Sequence, residues 1–445
     1  MTRPAPGVRA RIALASAGSL HLGSARLALL NWLLARGQGG AVVLRLADAG
    51  QHREPAGHAE QDLDWLGLDC EETVRPGERL DRYAEAAEAL KRAGRLYPCL
   101  ESDEELRAKR DWRVRRGKSP IYDRAMLKLT AAQLASAEAG GKRPHWRFRL
   151  SDGVVAWNDL VLGPTEVKVG ALSDPVAIQA DGTPLRGFTS VVDDFDSAIT
   201  HFVRGADHVD RSGLQLDMLA ALGGDPGALR LAHVPQLGDG GNGRAKFEGL
   251  TLRRLRSDGV EPAAITAYLA ALGSGRAARV ARLSDLAAGF DLKACARGTP
   301  SFDIAALQAL NRLVLRDTPF ADVAARLPAG ATEAFWTAVR GGIDLLGEAP
   351  GWWDVVAGTI VPPVIEGEAT LLRTALALLP PEPWDDAVWR TWSAALARAT
   401  SRNVPSLVEP LRLALTGEDH GPDLAALLPL IGATRVALRL QLAAA

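Results

Sequence analysis

Residues 11–46 read RIALASAGSLHLGSARLALLNWLLARGQGGAVVLRL, and this stretch decides the fold. Apolar residues alternate from Val8 to Leu14, which predicts a strand that ends in a run of small residues. Segment 24–36 is apolar nearly all round and has helical length, which predicts a buried helix that the following glycines end. The apolar run 41–46 predicts the next strand. This βαβ unit is typical of a parallel sheet covered by helices, so we expect a nucleotide-binding α/β domain.

The sequence pattern changes twice beyond this unit. Residues 97–164 combine a charged helix with short strand-like runs, which indicates an inserted α+β module. Segments 190–194 and 199–203 predict two further strands separated by a turn. After about residue 261 almost every segment has helical periodicity, which predicts an all-α region. We interpret most tryptophans of that region as anchors of helix packing rather than as a base-stacking surface.

Composition limits the class of protein. A chain of 445 residues is too long for one hydrophobic core, so we expect two to four domains. Its 52 Lys and Arg against 53 Asp and Glu exclude a generally basic coat for nucleic acid. The three cysteines form no CxxC pair, so we expect neither a disulfide framework nor a structural zinc. The first residues contain no apolar core of signal-peptide length, and we expect a cytoplasmic protein without a membrane span.

The turn between the first strand and helix carries chemistry. Gly18, His21 and Gly23 lie where unpaired N–H groups and the helix dipole would converge on an anion. Gly23 would let a flat ligand approach the backbone closely. By these residues alone, His21 can equally be a structural turn histidine.

Longer stretches carry a family resemblance. The stretch GSLHLGSARLALLNWLLARGQGGAVVLRLAD, residues 18–48, closely resembles the opening of glutamyl-tRNA synthetases, including their HxGx motif. Further matches to this family follow in the same order along the chain: LDWLGLD (63–69), RLDRYAEAAEALKRAGRLYPC (79–99), IYDRAML (121–127), RPHWRFRL (143–150), SDPV (173–176), DGTPL (181–185), SVVDDFDSAITHFVRGADHV (190–209), TLRRLRSDGVEP (251–262) and HGPDLAALLPLIG (420–432). Matches that follow one family in the same order over nearly the whole chain are specific to that family.

The resemblance implies a class I synthetase fold: a Rossmann-like catalytic domain split by an insertion, then an all-α C-terminal domain. The boundaries we expect are residues 1–96 for the first catalytic half, 97–172 for the inserted module that binds the acceptor end, 173–235 for the second half, 236–320 for a stem, and 321–445 for the helical anticodon-binding domain. It also implies that ATP with Mg²⁺ activates L-glutamate, which then passes to tRNA, tRNA-Glu in particular. We expect a monomer.

The resemblance also implies residue roles. Gly18, His21, Gly23 and Lys246 would hold ATP, with His21, Arg244 and Lys246 acting in catalysis. Arg11, Arg186 and Arg204 would surround the amino acid, Arg204 by a bidentate contact with its side-chain carboxylate. The basic helix of the insertion would bind tRNA phosphates through Arg107, Lys109, Arg110, Arg113, Arg115 and Arg116, although a solvated surface helix has the same composition.

The sequence departs from the family where chemistry is expected. Alanines 15, 47, 206 and 245 stand at motif positions, and Arg186 replaces a pocket tyrosine. Ala47 stands where an acid would bind the substrate ammonium. Ala245 stands in the slot of a lysine that neutralises the triphosphate, a loss of about 10²–10³ in rate unless Arg244 or Lys246 substitutes. Two alternatives therefore stay open: an impaired paralogue that retains tRNA binding, and an enzyme that adenylates a different carboxylate. The choice between tRNA-Glu and tRNA-Gln is also open.

Overall fold

The computed structural model describes residues 7–15, 18–47, 58–238, 250–295 and 297–445. The chain forms two compact units. The first comprises Met1–Arg253 and Leu269–Phe302, and the second comprises Arg254–Tyr268 and Asp303–Ala445. Strands lie in the first unit, and each unit has its own core.

The described strands form three sheets. Five parallel strands make the largest, in the order β10-β9-β1-β2-β3. A three-stranded antiparallel sheet has the order β4-β5-β8, and β6 pairs with β7. The strand bounds are β1 Arg9–Ala15, β2 Ala41–Ala47, β3 Glu72–Val74, β4 Leu96–Cys99, β5 His145–Phe148, β6 Val155–Asp159, β7 Gly163–Val167, β8 Val176–Ile178, β9 His201–Gly205 and β10 Arg230–Val234.

The helices within the described ranges follow the sequence pattern closely. Their bounds are α1 Leu22–Arg36, α2 His58–Leu66, α3 Leu80–Arg92, α4 Asp103–Arg115, α5 Ala131–Ala139, α6 Arg186–Asp196, α7 Val209–Ala221, α8 Leu252–Asp258, α9 Pro262–Ala271, α10 Leu283–Ala288, α11 Ile304–Asp317, α12 Phe320–Val323, α13 Glu333–Val339, α14 Ala349–Ala357, α15 Ala369–Ala377, α16 Val388–Thr400, α17 Pro405–Thr416, α18 Leu424–Ile431 and α19 Ala433–Ala443.

The order of the parallel strands creates a switch point. From β1 the chain crosses through α1 to β2 on one side, whereas β9 and β10 lie on the other side. The connections therefore diverge between β1 and β9, which pair in parallel at Ala10 and His201. In open α/β sheets, ligands bind beyond the carboxyl ends of the strands at such a point.

The predicted βαβ unit is confirmed as β1, α1 and β2. Helix α1 is buried on nearly all sides because it packs against β1, β2 and β9 of the sheet and against α10. Its buried Asn31 donates through Nδ2 to Val203 O and accepts at Oδ1 from Val203 N, both within 2.9 Å. This amide pair fixes α1 against β9, on the other side of the switch point.

Two features of the strand prediction need correction. Segment 190–194 was expected to be a strand, but it lies inside α6, because the sequence around its two valines also buries Phe188 at helical spacing. Its Asp193 and Asp194 pair with Arg45 and Arg11 of the sheet. Strand β10 was not foreseen from the sequence.

The second unit is helical and packs around one apolar cluster. Trp352 and Trp392 are buried in that cluster, while Trp353, Trp384 and Trp389 pack against it. The interpretation of these tryptophans as packing anchors is confirmed. Across the described ranges, no single helix combines the length and apolarity needed to cross a membrane; α18 and α19 meet that test only jointly, with a bend of 109° between them.

Candidate functional site

A cavity of about 460 Å³ lies at the switch point of the parallel sheet. Its walls come from β1, from β9, and from helices α1, α6 and α7. The carboxyl ends of β1 and β9 contribute Arg11 to Leu14 and Phe202 to Gly205. The fold therefore places an open space where a parallel sheet of this topology binds ligands.

Arginines dominate the polar lining of the cavity. The arginines on its walls are Arg11, Arg45, Arg186, Arg204 and Arg211, and no carboxylate is among the described residues that line it. Two of these arginines are neutralised by aspartates of α6: Arg11 pairs with Asp194 at 2.6 Å, and Arg45 pairs with Asp193 at 2.7 Å. The cavity is thus built to receive an anion.

Arg204 is held without a carboxylate. Its Nη1 donates to Ser212 Oγ at 3.0 Å and to Gln215 Oε1 at 2.5 Å. Its Nε is buried with no hydrogen-bond partner among the described residues. Burial, together with the positive charge of Arg11, lowers the pKa of Arg204 to about 9. A carboxylate bound in the cavity would stabilise the charged guanidinium group, as Asp194 and Asp207 do through space.

Phe202 lies between the two arginines that end in the cavity. The guanidinium carbon of Arg11 is 4.0 Å from the centroid of its ring, and that of Arg204 is 4.9 Å away. Cation–π contact of this kind fixes the planes of both guanidinium groups. The structure therefore brings Arg11 and Arg204 together, as the resemblance implied.

Arg186 begins α6 and reaches the cavity rim. None of the described residues pairs with its guanidinium group. Burial, followed by the charges of Arg45 and Arg211, lowers its pKa. Together with the N-terminus of α6, it adds a second electropositive wall.

The turn before α1 is fixed by hydrogen bonds. Asp62 Oδ2 accepts from the Leu20 N–H at 2.7 Å and from Ser19 Oγ at 2.9 Å. His21 precedes the helix and bridges to Thr251, and its side chain is exposed. Gly18 has a φ of +84°, a value that favours glycine. Gly18, His21 and Gly23 do not line the cavity itself, although the next residue, Ser24, does.

The other expected ATP-binding and catalytic residues, Arg244 and Lys246, lie outside the described residues, as does Ala245. The chain that follows them pairs with the turn. Leu252 N–H donates to Leu20 O at 2.8 Å, and Leu22 N–H donates to Leu250 O at 3.4 Å.

The basic helix of the insertion is α4. Arg107, Arg110 and Arg115 are exposed and pair with none of the described residues. Lys109 is different, because it forms ion pairs with Glu101 and Asp123. Arg113 donates to Ser119 O, and Arg116 lies over the Trp112 ring at 4.2 Å. Only part of the predicted phosphate-binding set is therefore free to meet a ligand.

The sequence reasoning missed a group of buried polar residues behind Arg204. Asp159, His233 and Ser212 form a continuous run of hydrogen bonds that ends at its guanidinium group. The only local signals were an aspartate in VVAWNDLVL and a histidine in LRLAHV, polar residues within mostly apolar runs. Among the residues that the structure describes, no cluster of three or more His, Cys, Asp or Glu side chains could hold a metal ion.

Two family profiles match the chain. The profile of “tRNA synthetases class I (E and Q), catalytic domain” matches residues 7–308, and that of “Anticodon binding domain” matches residues 365–444.

Curated relatives match over almost the full length. Glutamate–tRNA ligase 2 of Granulibacter bethesdensis is 53% identical over 441 residues, covering 98% of each chain. Glutamate–tRNA ligase 2 of Acidiphilium cryptum is 53% identical and covers 98% of this chain and 100% of its own. A crystal structure of a glutamate tRNA ligase from Elizabethkingia meningosepticum in complex with its amino acid has a TM-score of 0.81 at 21% identity, over 98% of this chain and 99% of that one. The last match shows the same fold.

Proposed function

The chain belongs to the class I tRNA synthetases of the E and Q group, and from that membership we propose that it is a glutamate–tRNA ligase. It is an aminoacyl-tRNA ligase that uses ATP to activate an amino acid and passes the acyl group to the 3′ end of tRNA. The relatives at 53% identity carry the name glutamate–tRNA ligase, which supports glutamate as the amino acid.

One observation in the site carries the choice of glutamate. Arg204 is buried at the cavity with an Nε that has no partner among the described residues, while its Nη1 is held by Ser212 and Gln215. Nη2 bonds to none of the described residues and Arg204 lines the cavity, so we propose that a substrate carboxylate approaches this edge of the guanidinium group and pairs with it in a bidentate contact. Glutamine would offer that edge an amide, whose NH₂ group cannot accept a hydrogen bond.

The chemistry needs positioning rather than a covalent intermediate with the protein. The α-carboxylate of glutamate attacks the α-phosphorus of ATP, and pyrophosphate leaves. A ribose hydroxyl of the tRNA terminus then attacks the acyl carbon of the adenylate, the ester forms, and AMP leaves. Arg11, Arg186 and Arg204 would hold the amino acid, and the turn at His21 with Gly18 and Gly23 would hold ATP. We propose that Mg²⁺ arrives with ATP and is bound by its phosphates, and that Arg244 and Lys246 meet the charge of the leaving group.

We also propose the finer assignments that the resemblance implied. The profile matches over residues 7–308 and 365–444 support a catalytic region followed by an anticodon-binding region. The division at residues 96, 172, 235 and 320 remains a prediction, as do a monomeric state and a cytoplasmic location. The exposed arginines of α4 support contact between this helix and tRNA phosphates, with tRNA-Glu as the expected partner.

The direct test is ligation of labelled amino acid to tRNA in the presence of ATP and Mg²⁺. We expect product with L-glutamate and tRNA-Glu, and at least 10²-fold less with L-glutamine or L-aspartate. Parallel reactions with tRNA-Gln define the tRNA specificity. Tight tRNA binding without ligation or pyrophosphate exchange would instead identify the chain as an impaired paralogue.

A second candidate, activation of an acid that lacks a free α-amino group, is favoured by one observation. The described lining of the cavity contains no carboxylate to bind an ammonium group, and Ala47 ends β2 at the position where the family has an acid. Pyrophosphate exchange with tRNA present should be run with L-glutamate, N-acetyl-L-glutamate and glutarate. A higher kcat/KM for glutarate than for L-glutamate would support this candidate and contradict the first.

A further inference from the structure

A buried run of hydrogen bonds leads through the first unit to Arg204. Asp159 ends β6, His233 lies on β10 and Ser212 lies on α7, and none of the three is more than 2% exposed. Asp159 Oδ2 is 2.5 Å from His233 Nδ1, and His233 Nε2 is 2.8 Å from Ser212 Oγ. Ser212 Oγ in turn accepts from Arg204 Nη1 at 3.0 Å. We call Asp159, His233 and Ser212 the buried relay.

The charge at the start of the buried relay is fixed by its surroundings. Burial by itself would raise the pKa of Asp159, but hydrogen bonds from the His233 ring and from the Leu162, His233 and Val161 N–H groups outweigh it and lower the pKa to about 2. Its Oδ1 accepts the three backbone N–H groups, and its Oδ2 faces His233 Nδ1. An ionised carboxylate only accepts hydrogen bonds, so His233 Nδ1 carries a proton.

The tautomer of His233 sets the direction of the next hydrogen bond. Nε2 of a ring protonated only at Nδ1 is an acceptor, and the Ser212 hydroxyl, which also lies 3.2 Å from His208 O, would then donate to Nε2 at 2.8 Å. The remaining lone pairs of Ser212 Oγ can accept the Arg204 N–H group. The buried relay thus places an acceptor at Nη1, while Nη2, which bonds to none of the described residues, is left for a ligand in the cavity that Arg204 lines.

The charge of the group that holds each arginine matters as much as the geometry of the contact. Arg11 and Arg45 are each held by an aspartate, which neutralises the charge they could offer a ligand. Arg204 is held by a hydroxyl and by the Gln215 amide oxygen, which orient the group without adding a negative charge, while Asp194 and Asp207 act on it through space only. A carboxylate in the same place would compete with the substrate for the guanidinium group.

Close packing holds Ser212 in this position. The next residue, Gly213, faces β7, where an added Cβ would lie only 2.7 Å from Val167 Cβ. The absence of a side chain lets α7 approach the β6–β7 hairpin that carries Asp159.

We propose that Asp159, His233 and Ser212 are positioning residues that orient Arg204 for the side-chain carboxylate of the amino acid. The inference rests on the proposed function for the identity of that carboxylate. A merely structural role would affect folding stability and all substrates alike. A positioning role affects the amino acid selectively.

The kinetic test uses full-length Ser212→Ala in the complete reaction with tRNA, ATP and L-glutamate. We expect the KM for glutamate to rise roughly 10-fold, the effect of one hydrogen bond to a charged group, while the KM for ATP changes less than about 2-fold. Ser212→Thr, which keeps the hydroxyl, should recover most of the loss. Ser393→Ala, at a buried serine in the second unit, is the matched control and should leave both KM values unchanged.

The tautomer provides a readout that does not depend on the substrate. Long-range ¹H–¹⁵N spectra of histidine-labelled protein should show His233 protonated at Nδ1, and Asp159→Asn should shift the ring towards the Nε2–H form. An Nε2–H ring in the unmodified protein would overturn the inference, as would equal changes in both KM values for folded Ser212→Ala. Absence of glutamate ligation by the unmodified protein would contradict the proposed function, and the tautomer would still decide whether the buried relay is oriented as described.

Discussion

Buried arginines around the cavity are held in two ways, some by carboxylates and one by uncharged groups. Arg11 and Arg45 tie β1 and β2 to α6 through aspartates. Removing either partner of such a pair would leave a buried charge unpaired. Arg204 is bonded to no carboxylate, so a bound ligand carboxylate would add to the stabilisation that Ser212, Gln215 and more distant aspartates give its charge.

Arg204→Gln tests this distinction. The substitution removes a buried charge that is bonded to no carboxylate, so the free energy of unfolding should stay within about 1 kcal/mol or increase. The KM for glutamate should rise roughly 10²-fold or more, because glutamine cannot form the bidentate, charged interaction with the substrate carboxylate. Steady-state kinetics and thermal unfolding measure the two effects. Arg36→Gln, which breaks ion pairs with Asp69 and Glu71 outside the cavity, should leave the KM unchanged.

Asp159 predicts a specific acid sensitivity. Its pKa is about 2 in the folded protein and about 3.9 in an unfolded chain, which contributes about 2 kcal/mol of stability. Because the folded pKa is the lower one, this contribution is present above about pH 4 and is lost as the pH falls to 2. Denaturant unfolding between pH 5 and 2 should show this loss, and Asp159→Asn should reduce it. Asp386→Asn, at an exposed position, should not.

At the level of single residues, the sequence revealed side chains that belong to contiguous motifs. Arg11 and Arg204 could be assigned in this way, and the structure brings them together. The buried relay could not, because Asp159 and His233 are 74 residues apart and meet only through the pairing of distant strands. The sequence around each of them shows a polar residue in an apolar run, but it does not show which distant residue is its partner.

The sequence pattern predicted some helices and strands more clearly than others. Helix α1 is apolar on nearly all sides, a pattern that a buried strand can also show. The segment is too long for a strand, so its length indicated a helix. Segment 190–194 is short, and its two valines fit either structure. The deciding contacts come from the sheet, because Asp193 and Asp194 accept hydrogen bonds from Arg45 and Arg11 only when the segment is helical.

Gly213 in α7 supports a prediction about packing. Gly213→Ala should gain helix propensity of about 1 kcal/mol, but its Cβ would meet Val167 and push α7 from β7, which costs about 1–3 kcal/mol. We expect a net loss of stability and a raised KM for glutamate, because Ser212 moves as well. Gly351→Ala in α14, where a Cβ meets no atom within 4 Å, should be neutral or stabilising. Comparable gains at both positions would contradict the packing argument.

Helix α4 supports a prediction about salt dependence. Changing Arg107, Arg110 and Arg115 together to glutamine should weaken tRNA binding. It should also reduce the slope of log Kd against log salt concentration by roughly 0.7–0.9 for each tRNA phosphate that the variant no longer neutralises. Lys109→Gln is the control in the same helix, because its charge is already paired with Glu101 and Asp123. An unchanged slope in the triple variant would identify α4 as a solvated surface helix.

For the whole molecule, the sequence predicted the class of each region better than the connections between strands. The βαβ opening and the helical C-terminal region were both evident from periodicity. The strand order β10-β9-β1-β2-β3 was not, because β10 was missed and a sheet order depends on contacts far apart in sequence. The cavity lies at the switch point created by that order, so its walls could only be seen in three dimensions.

The division into two units predicts where ligand binding adds stability. L-Glutamate at 100 times its Kd should stabilise the first unit by about 2.7 kcal/mol, because the cavity lies entirely within it. Hydrogen exchange followed peptide by peptide should show slower exchange in β1, β9 and α7 and little change in α17 and α18. L-Glutamine at the same concentration is the control. Equal protection in both units would place the ligand elsewhere.

The turn before α1 has one more consequence for how a nucleotide could be held. The Leu20 and Leu22 amides are already bonded, to Asp62 and to Leu250 O. This leaves the His21, Gly23 and Ser24 amides without a partner among the described residues. A triphosphate bound at this turn would thus meet three main-chain donors for a charge of about four. Most of its neutralisation would have to come from mobile countercations or from basic side chains elsewhere in the chain.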